Sequence, residues 1–263
     1  MSTDGHAPRF APGTFTPAPG RGPLGRMLAT QVGLETRLAL RQGEQVLLTL
    51  IIPLALLVGL ALLRVVPLPE PRVTSVLGSV LALAVISTAF TSQAISLGFD
   101  RRYGVLRRLA ATAVPRWLIV VGRLGGMAAV VLVQLVVLGA VALALGWRPG
   151  TGSLGWVLLL VVLGTAAFGA VGVLLGGTLR AELVLAVANI VWFVLLFAGG
   201  VLLPVAALPG PLAAVVTLLP SGALAEGLRA ALLGGTPTLG QVLVLLVWTL
   251  VAGLVASRTV RWS

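Results

Sequence analysis

The chain of 263 residues has no cysteine, one histidine, one tyrosine and seven acidic residues. It also has no lysine, since all 18 basic residues are arginine. Without cysteine there is no disulfide framework, no thiolate nucleophile and no Cys-based zinc or iron–sulfur site. Without lysine no Walker A loop ending in Gly-Lys-Ser/Thr can be written, which excludes a standard P-loop ATPase. The one histidine, His6, lies in a Pro/Gly-rich tail, so a Ser–His–Asp triad or a histidine metal cluster is excluded as well. Charged residues make up only 10% of the chain, against about 25% in an average soluble domain. What fills the chain instead is apolar: 58% is hydrophobic and the mean hydropathy is +1.10. A water-soluble domain of this length could not hide that much apolar surface. The formal net charge is +11 and the isoelectric point is near 12.0. Such a value can mark a nucleic-acid binder. On so apolar a chain the positions of the arginines decide, and they do not read as a nucleic-acid footprint.

A spanning helix needs about 20 mostly apolar residues, because the hydrocarbon core is about 30 Å thick and a helix rises about 1.5 Å per residue. Six segments qualify: Val46–Leu63, Val73–Leu97, Leu124–Gly146, Leu154–Leu179, Leu183–Leu203 and Leu239–Ser257. None carries a charged side chain. Backbone groups in lipid need internal partners, so such segments are helices or closed barrels. Barrel strands alternate in polarity, whereas these runs are apolar all round. Helices are therefore expected. Residues 1–25 hold Pro8, Pro12, Pro17, Pro19 and Pro23 and no apolar run. They read as a disordered tail and not as a secretory signal peptide.

The arginines set the orientation. With six spans, one side receives Arg9, Arg21, Arg26, Arg37, Arg41, Arg101, Arg102, Arg107, Arg108, Arg116, Arg123, Arg180, Arg258 and Arg261. The other side receives only Arg64, Arg72, Arg148 and Arg229. The positive-inside rule then places both termini in the cytoplasm. Between the fifth and sixth spans, residues 204–238 are apolar but cut by Pro204, Pro209, Pro211, Pro220 and Pro237. Proline ends helices, so two short helices, Pro211–Leu218 and Ser221–Leu233, fit between the breaks as an outer re-entrant hairpin or cap. A complete further span starting near Pro211 is the alternative. Ser221 is expected to cap the second helix, Gly234-Gly235 to stop it, and Glu226 to pair with Arg229 three residues on.

Two segments on the arginine-rich side carry amphipathic patterns. Residues 26–45 stack Met27, Leu34 and Leu38 at helical spacing beside Arg37, Arg41 and Glu44. Such a helix lies in the membrane interface; the pattern fits a simple anchor or an elbow that also touches a partner. Residues 100–114 follow the second span. Leu106, Leu109 and Ala113 form an apolar stripe beside Arg101, Arg102, Arg107 and Arg108. This basic loop can set topology, meet acidic lipid or dock a protein.

The run Phe99-Asp100-Arg101-Arg102-Tyr103-Gly104-Val105-Leu106-Arg107-Arg108-Leu109, followed by Thr112 and Pro115-Arg116-Trp117, resembles the cytoplasmic signature of ABC-2 type transporter permeases. Two departures show: the family often has an acidic residue where Arg102 or Tyr103 stands, and Val105 replaces its usual threonine. Gly199-Gly200-Val201-Leu202-Leu203-Pro204 is similar to the family's fifth-span exit. Leu219-Pro220 through Glu226-Gly227-Leu228-Arg229 to Gly234-Gly235 resembles its outer hairpin. The resemblance runs from about Arg26 to the C-terminus. It implies an all-α integral membrane protein of six helices (residues 46–263), an N-terminal elbow helix and an outer re-entrant hairpin. Two permease copies, as a homo- or heterodimer, would join two ATP-binding subunits that hold the ATP and Mg; this chain binds no cofactor or metal. Residues 100–114 would be the coupling helix, with Asp100, Arg101, Arg102, Gly104, Leu106, Arg107, Arg108 and Leu109 at the ATPase interface.

Polar residues inside the spans are sparse. Thr88, Ser92 and Ser96 share a face, with Gln93, Gln134 and Asn189 elsewhere. They fit interhelical hydrogen bonding or a wet translocation path. Gly122-x-x-x-Gly126 and Gly172-x-x-x-Gly176 permit close helix packing. No charge lies deep in any span, so no proton relay is visible, and a mainly apolar path suits hydrophobic or amphipathic cargo: a drug, an antibiotic, a lipid or a lipid-linked product. The expected role is export across a bacterial plasma membrane, powered by a separate ATPase. The competing class is a secondary transporter or channel. The absence of Lys beside abundant Ala, Gly, Pro and Arg points to a GC-rich bacterial genome, which is a codon argument.

Overall fold

The computed structural model describes residues 22–41, 43–63, 68, 70–110, 115–150 and 153–260. Helices dominate, and no strand occurs among the described residues. In chain order they are α1 (Leu24–Arg41), α2 (Gly43–Leu62), α3 (Arg72–Val85), a π-helical segment (Ile86–Ser92), α4 (Gln93–Arg102), α5 (Val105–Ala110), α6 (Arg116–Ala144), α7 (Ser153–Thr178), α8 (Ala181–Ala198), α9 (Gly210–Leu218), α10 (Pro220–Leu232) and α11 (Leu239–Thr259). Five of the described helices are long and apolar enough to cross a membrane, the first being the unbroken run Arg72–Arg102. α2 supplies a further apolar helix over Thr49–Leu62.

The run Arg72–Arg102 is the axis of the bundle, and its apolar window is almost wholly buried. Its 31 residues reach about 46 Å at about 1.5 Å per residue. That exceeds a hydrocarbon core of about 30 Å, and α5 follows its Arg102 end across a short turn. α2 and α6 lie beside α3; α7 crosses α4 and the π segment and also lines α10 and α11. The core gathers Val76, Leu77, Val80, Phe90, Leu160, Phe168, Leu224 and Leu228 from these helices. α8 and α11 stand at the periphery, their windows mostly exposed. The outer faces carry Ile190, Phe193 and Phe197 on α8 and Leu243, Leu250 and Leu254 on α11.

Small residues set how close the helices come. A Cβ at Gly172 of α7 would meet the Phe90 carbonyl oxygen of the π segment at 2.9 Å, and one at Gly176 would meet the Ala94 carbonyl oxygen of α4. On α6, a Cβ at Gly125 would lie 2.6 Å from Val32 Cγ2, and one at Gly126 would lie 2.7 Å from Glu35 Cβ. α1 therefore lies directly along α6. It turns Gln31, Val32 and Glu35 inward and leaves Leu34, Leu38 and Leu40 half-exposed.

Several boundaries differ from the sequence reading. The amphipathic helix ends at Arg41, and Glu44 and Gln45 belong to α2. Asp100, Arg101 and Arg102 are the last residues of α4, not the start of a coupling helix. The chain turns at Tyr103-Gly104, where Gly104 takes φ 70°, a conformation open to glycine without Cβ strain. Residues 111–114 of the expected coupling helix, and nearly all of the expected tail, lie outside the described residues. α9 and α10 meet at a bend of 89°, so no straight span starts at Pro211. Ser221 caps nothing: α10 opens with Pro220 at its first position after Leu219, where the missing amide proton costs no bond. Ser221 is buried and its hydroxyl has no partner.

Candidate functional site

A cavity of about 350 Å³ opens between α1, α4 and α6 at the arginine-rich end. Its polar wall is formed by Thr88, Ser92, Gln93, Ser96 and Asp100 from the central helix, Gln31 and Glu35 from α1, and Arg123 from α6. Leu34, Leu38, Met127 and Val130 make the rest of the wall apolar. The π segment arranges the central contribution. A π turn bonds i to i+5, so Gln93 comes round to the face of Thr88, and the α-helical spacing from Ser92 to Ser96 to Asp100 continues the stripe. Gln93 is only 6% exposed, and its Nε2 has no hydrogen-bond partner.

Three charged groups meet in this wall. The Arg123 guanidinium donates through Nη2 to Asp100 Oδ2, and its Nε lies 3.9 Å from Glu35 Oε1. Glu35 Oε1 also accepts from Gln31 Nε2 at 3.1 Å. Burial pushes the Glu35 carboxyl above the usual carboxylate range, while the Arg123 charge and the Gln31 hydrogen bond pull it back. By sequence Arg123 is one of the arginines that set the orientation, and Glu35 does not stand out. In the structure Arg123 belongs to α6, with its side chain 11% exposed. The signal that could have found the pair was Gly122-x-x-x-Gly126, since the helix that fills that groove is α1, bearing Glu35.

The other polar span residues divide. Gln134 is buried; its Oε1 accepts from Thr88 Oγ1 at 3.1 Å, and its Nε2 donates to the Thr49 carbonyl at 3.3 Å. It joins three helices and does not line the cavity. Asn189 is exposed on α8 and donates to the Leu185 carbonyl of its own helix, which places it away from this cavity.

The expected ATPase-facing residues also divide. Arg101 is turned inward: its Nη1 donates to the carbonyls of Gly176 and Leu179 at 3.1 Å each, satisfying the C-terminal end of α7. Arg102 pairs with Glu182 in the first turn of α8. Leu106 is 2% exposed and anchors α5 to the bundle. Arg108 is exposed; the side chains of Arg107 and Leu109 lie outside the described residues. On α1, Arg37 and Arg41 are exposed.

At the opposite end Arg229 of α10 is 3% exposed. Its Nη2 donates to the carbonyls of Gly200 and Val201 at 2.7 and 2.6 Å. Its Nη1 donates to Glu226 Oε1 at 2.6 Å, and its Nε to Ser79 Oγ at 3.2 Å. Glu226 Oε1 also accepts from the Val205 amide at 2.8 Å. One guanidinium thus ties α10 to α3 and to the loop leaving α8.

No curated protein matches the chain. The sequence profile described as ABC-2 family transporter protein matches residues 64–258, which takes in everything from α3 to the end of α11 apart from the last residue of that helix. With an all-helical fold of apolar spans and a match over most of its length, the chain belongs to the ABC-2 family of transporter proteins, as a multi-pass membrane protein.

Proposed function

We propose that this chain is the permease subunit of an ATP-binding-cassette exporter in a bacterial plasma membrane, with both termini in the cytoplasm. The observation that carries the reading is the family match on a chain that has no lysine for a Walker A loop. On this reading the energy comes from a separate ATPase, which would hold the ATP and Mg. The end of the bundle where α4 gives way to α5 is rich in arginine, which suits the cytoplasmic side. There α5 is the docking element, fixed from below by Leu106 and presenting Arg108 outward. A planar guanidinium binds carboxylates bidentately, so the partner surface is expected to be acidic. Arg101 is engaged by the end of α7 and positions this element, whereas Arg102, paired with Glu182 in an exposed ion pair, stays available to the partner beside Arg108. Two copies would meet through peripheral helices and enclose a path for amphipathic cargo.

The test is co-expression with a cognate ATP-binding-cassette subunit. The pair is expected to co-purify and hydrolyse ATP, whereas the chain alone hydrolyses none. Arg107→Glu/Arg108→Glu is expected to abolish co-purification while the permease still folds. Flux through the chain alone, driven by an ion gradient in proteoliposomes, would overturn the proposal in favour of a secondary transporter.

A further inference from the structure

Among the described residues, the cavity between α1, α4 and α6 has an unbalanced charge. Glu35 and Asp100 face it, and one guanidinium, Arg123, serves both. Arg101 and Arg102 are held elsewhere, and Arg37 and Arg41 stand on the exposed side of α1. Arg123 donates directly to Asp100 and stays 3.9 Å from Glu35. Glu35 is therefore the carboxylate left short of a partner. The wall also holds uncommitted donors: Gln93 Nε2, on a side chain 6% exposed, and the Nε and Nη1 of Arg123. Beside these polar groups stand Leu34, Leu38, Met127 and Val130. A cavity of about 350 Å³ suits a small-molecule head and falls at the low end of ligand pockets.

We infer that this cavity binds a monocationic amphiphile, with its cationic centre against Glu35, a hydrogen-bond acceptor against Gln93 and its apolar part along Leu34, Leu38 and Met127. The inference rests on the permease reading and names the class of cargo. A cation completes the ion balance of the wall, which a neutral or anionic head would leave short. Glu35 lies on α1, outside the long apolar helices and at the arginine-rich end of the bundle. Because burial holds Glu35 above the ordinary carboxylate range, a proton competes with the ligand. Among the described residues the charged groups facing Glu35 are Arg123 and Asp100, and the neutral Gln31 donates to it.

The probe is rhodamine 6G, a monocation with an ester acceptor, read by fluorescence anisotropy on the full chain in nanodiscs of zwitterionic lipid. Nile red, a neutral dye, is the comparison. Rhodamine 6G is expected to bind, and E35Q to weaken it about tenfold, the effect of losing one partly buried charge pair. Nile red partition should not change. Gln93→Leu should weaken rhodamine 6G less than E35Q does, and Asn189→Ala should leave it unaltered. Lowering the pH through the raised titration range of Glu35 should weaken binding to the natural protein and not to E35Q. Equal rhodamine binding by the natural protein and E35Q overturns the inference, as does no binding at all or an equal loss for both dyes. None of these readings needs the ATPase. If E35Q still transports a cation in the assembled complex with unchanged KM, the inference fails while the permease reading stands. If no complex forms but the charge-dependent binding is seen, the reverse holds.

Discussion

Arg229 shows how much one side chain can hold. A guanidinium buried in an apolar bundle is costly unless every donor finds a partner, and this one reaches Glu226, Ser79 and two backbone carbonyls. Arg229→Met is expected to destabilise the protein by about 3 kcal/mol, the size of breaking a buried, hydrogen-bonded charge. Thermal unfolding in detergent measures it. Glu226→Gln should cost less, because Glu226 is 30% exposed and Arg229 keeps its other acceptors. Gly78→Val should act through the same node. A Cβ there would lie 2.9 Å from Arg229 Cγ and 3.0 Å from its backbone, so the helix cannot yield by a rotamer change alone. Overpacking of this kind costs about 1–3 kcal/mol, and the double substitution with Arg229→Met should be less than additive because the two share one contact.

Among the elements, α1 and α5 are placed by glycines on neighbouring segments. α1 seats where Gly122, Gly125 and Gly126 leave α6 bare. The absence of cysteine makes this directly testable. A Cβ built at Gly125 lies 3.4 Å from Val32 Cβ, against about 3.8 Å across a typical disulfide. V32C/G125C is therefore expected to cross-link on oxidation in membranes, and Gly126→Leu added to that pair should prevent it by lifting α1. A persistent cross-link in the triple variant would count against the seating. α5 depends on the left-handed turn at Gly104. Gly104→Val strains that turn, so ATPase co-purification should fall while the thermal stability of the bundle changes little. The α1–α6 groove was visible in the sequence as a glycine spacing, but its occupant was not. The π segment was not legible either: an i+4 reading groups Thr88, Ser92 and Ser96, and only the wider turn adds Gln93 to that face.

At the scale of the whole molecule, burial is uneven. The central run Arg72–Arg102 is enclosed, whereas α8 and α11 turn most of their apolar surface outward. In lipid such faces need no cover, so exposure alone does not fix an assembly. The proposed exporter holds two permeases and two ATPases, and the mass of the purified complex is expected to give that two-to-two ratio. Polar groups in the interior follow the same division of labour. Gln134 joins three helices by hydrogen bonds. Gln134→Leu should therefore lower thermal stability without changing the charge selectivity of the cavity.

The amino-acid sequence by itself determined that this chain lives in a membrane as helices, because uncharged runs of about 20 residues have no other stable state there. It also placed the helix breaks at the prolines and gathered the arginines at one end. The absent lysine already excluded a Walker A loop within these residues. Only the tertiary structure decided which arginines are free. Arg101, Arg102 and Arg123 look alike in the sequence, yet each meets a carbonyl or carboxylate from a distant helix. It also brought Glu35, Asp100 and Arg123 to one cavity, across sequence separations that periodicity cannot bridge. Periodicity reports the face of one helix, whereas pairing depends on which helix lies opposite, and side-chain volume across the contact decides that.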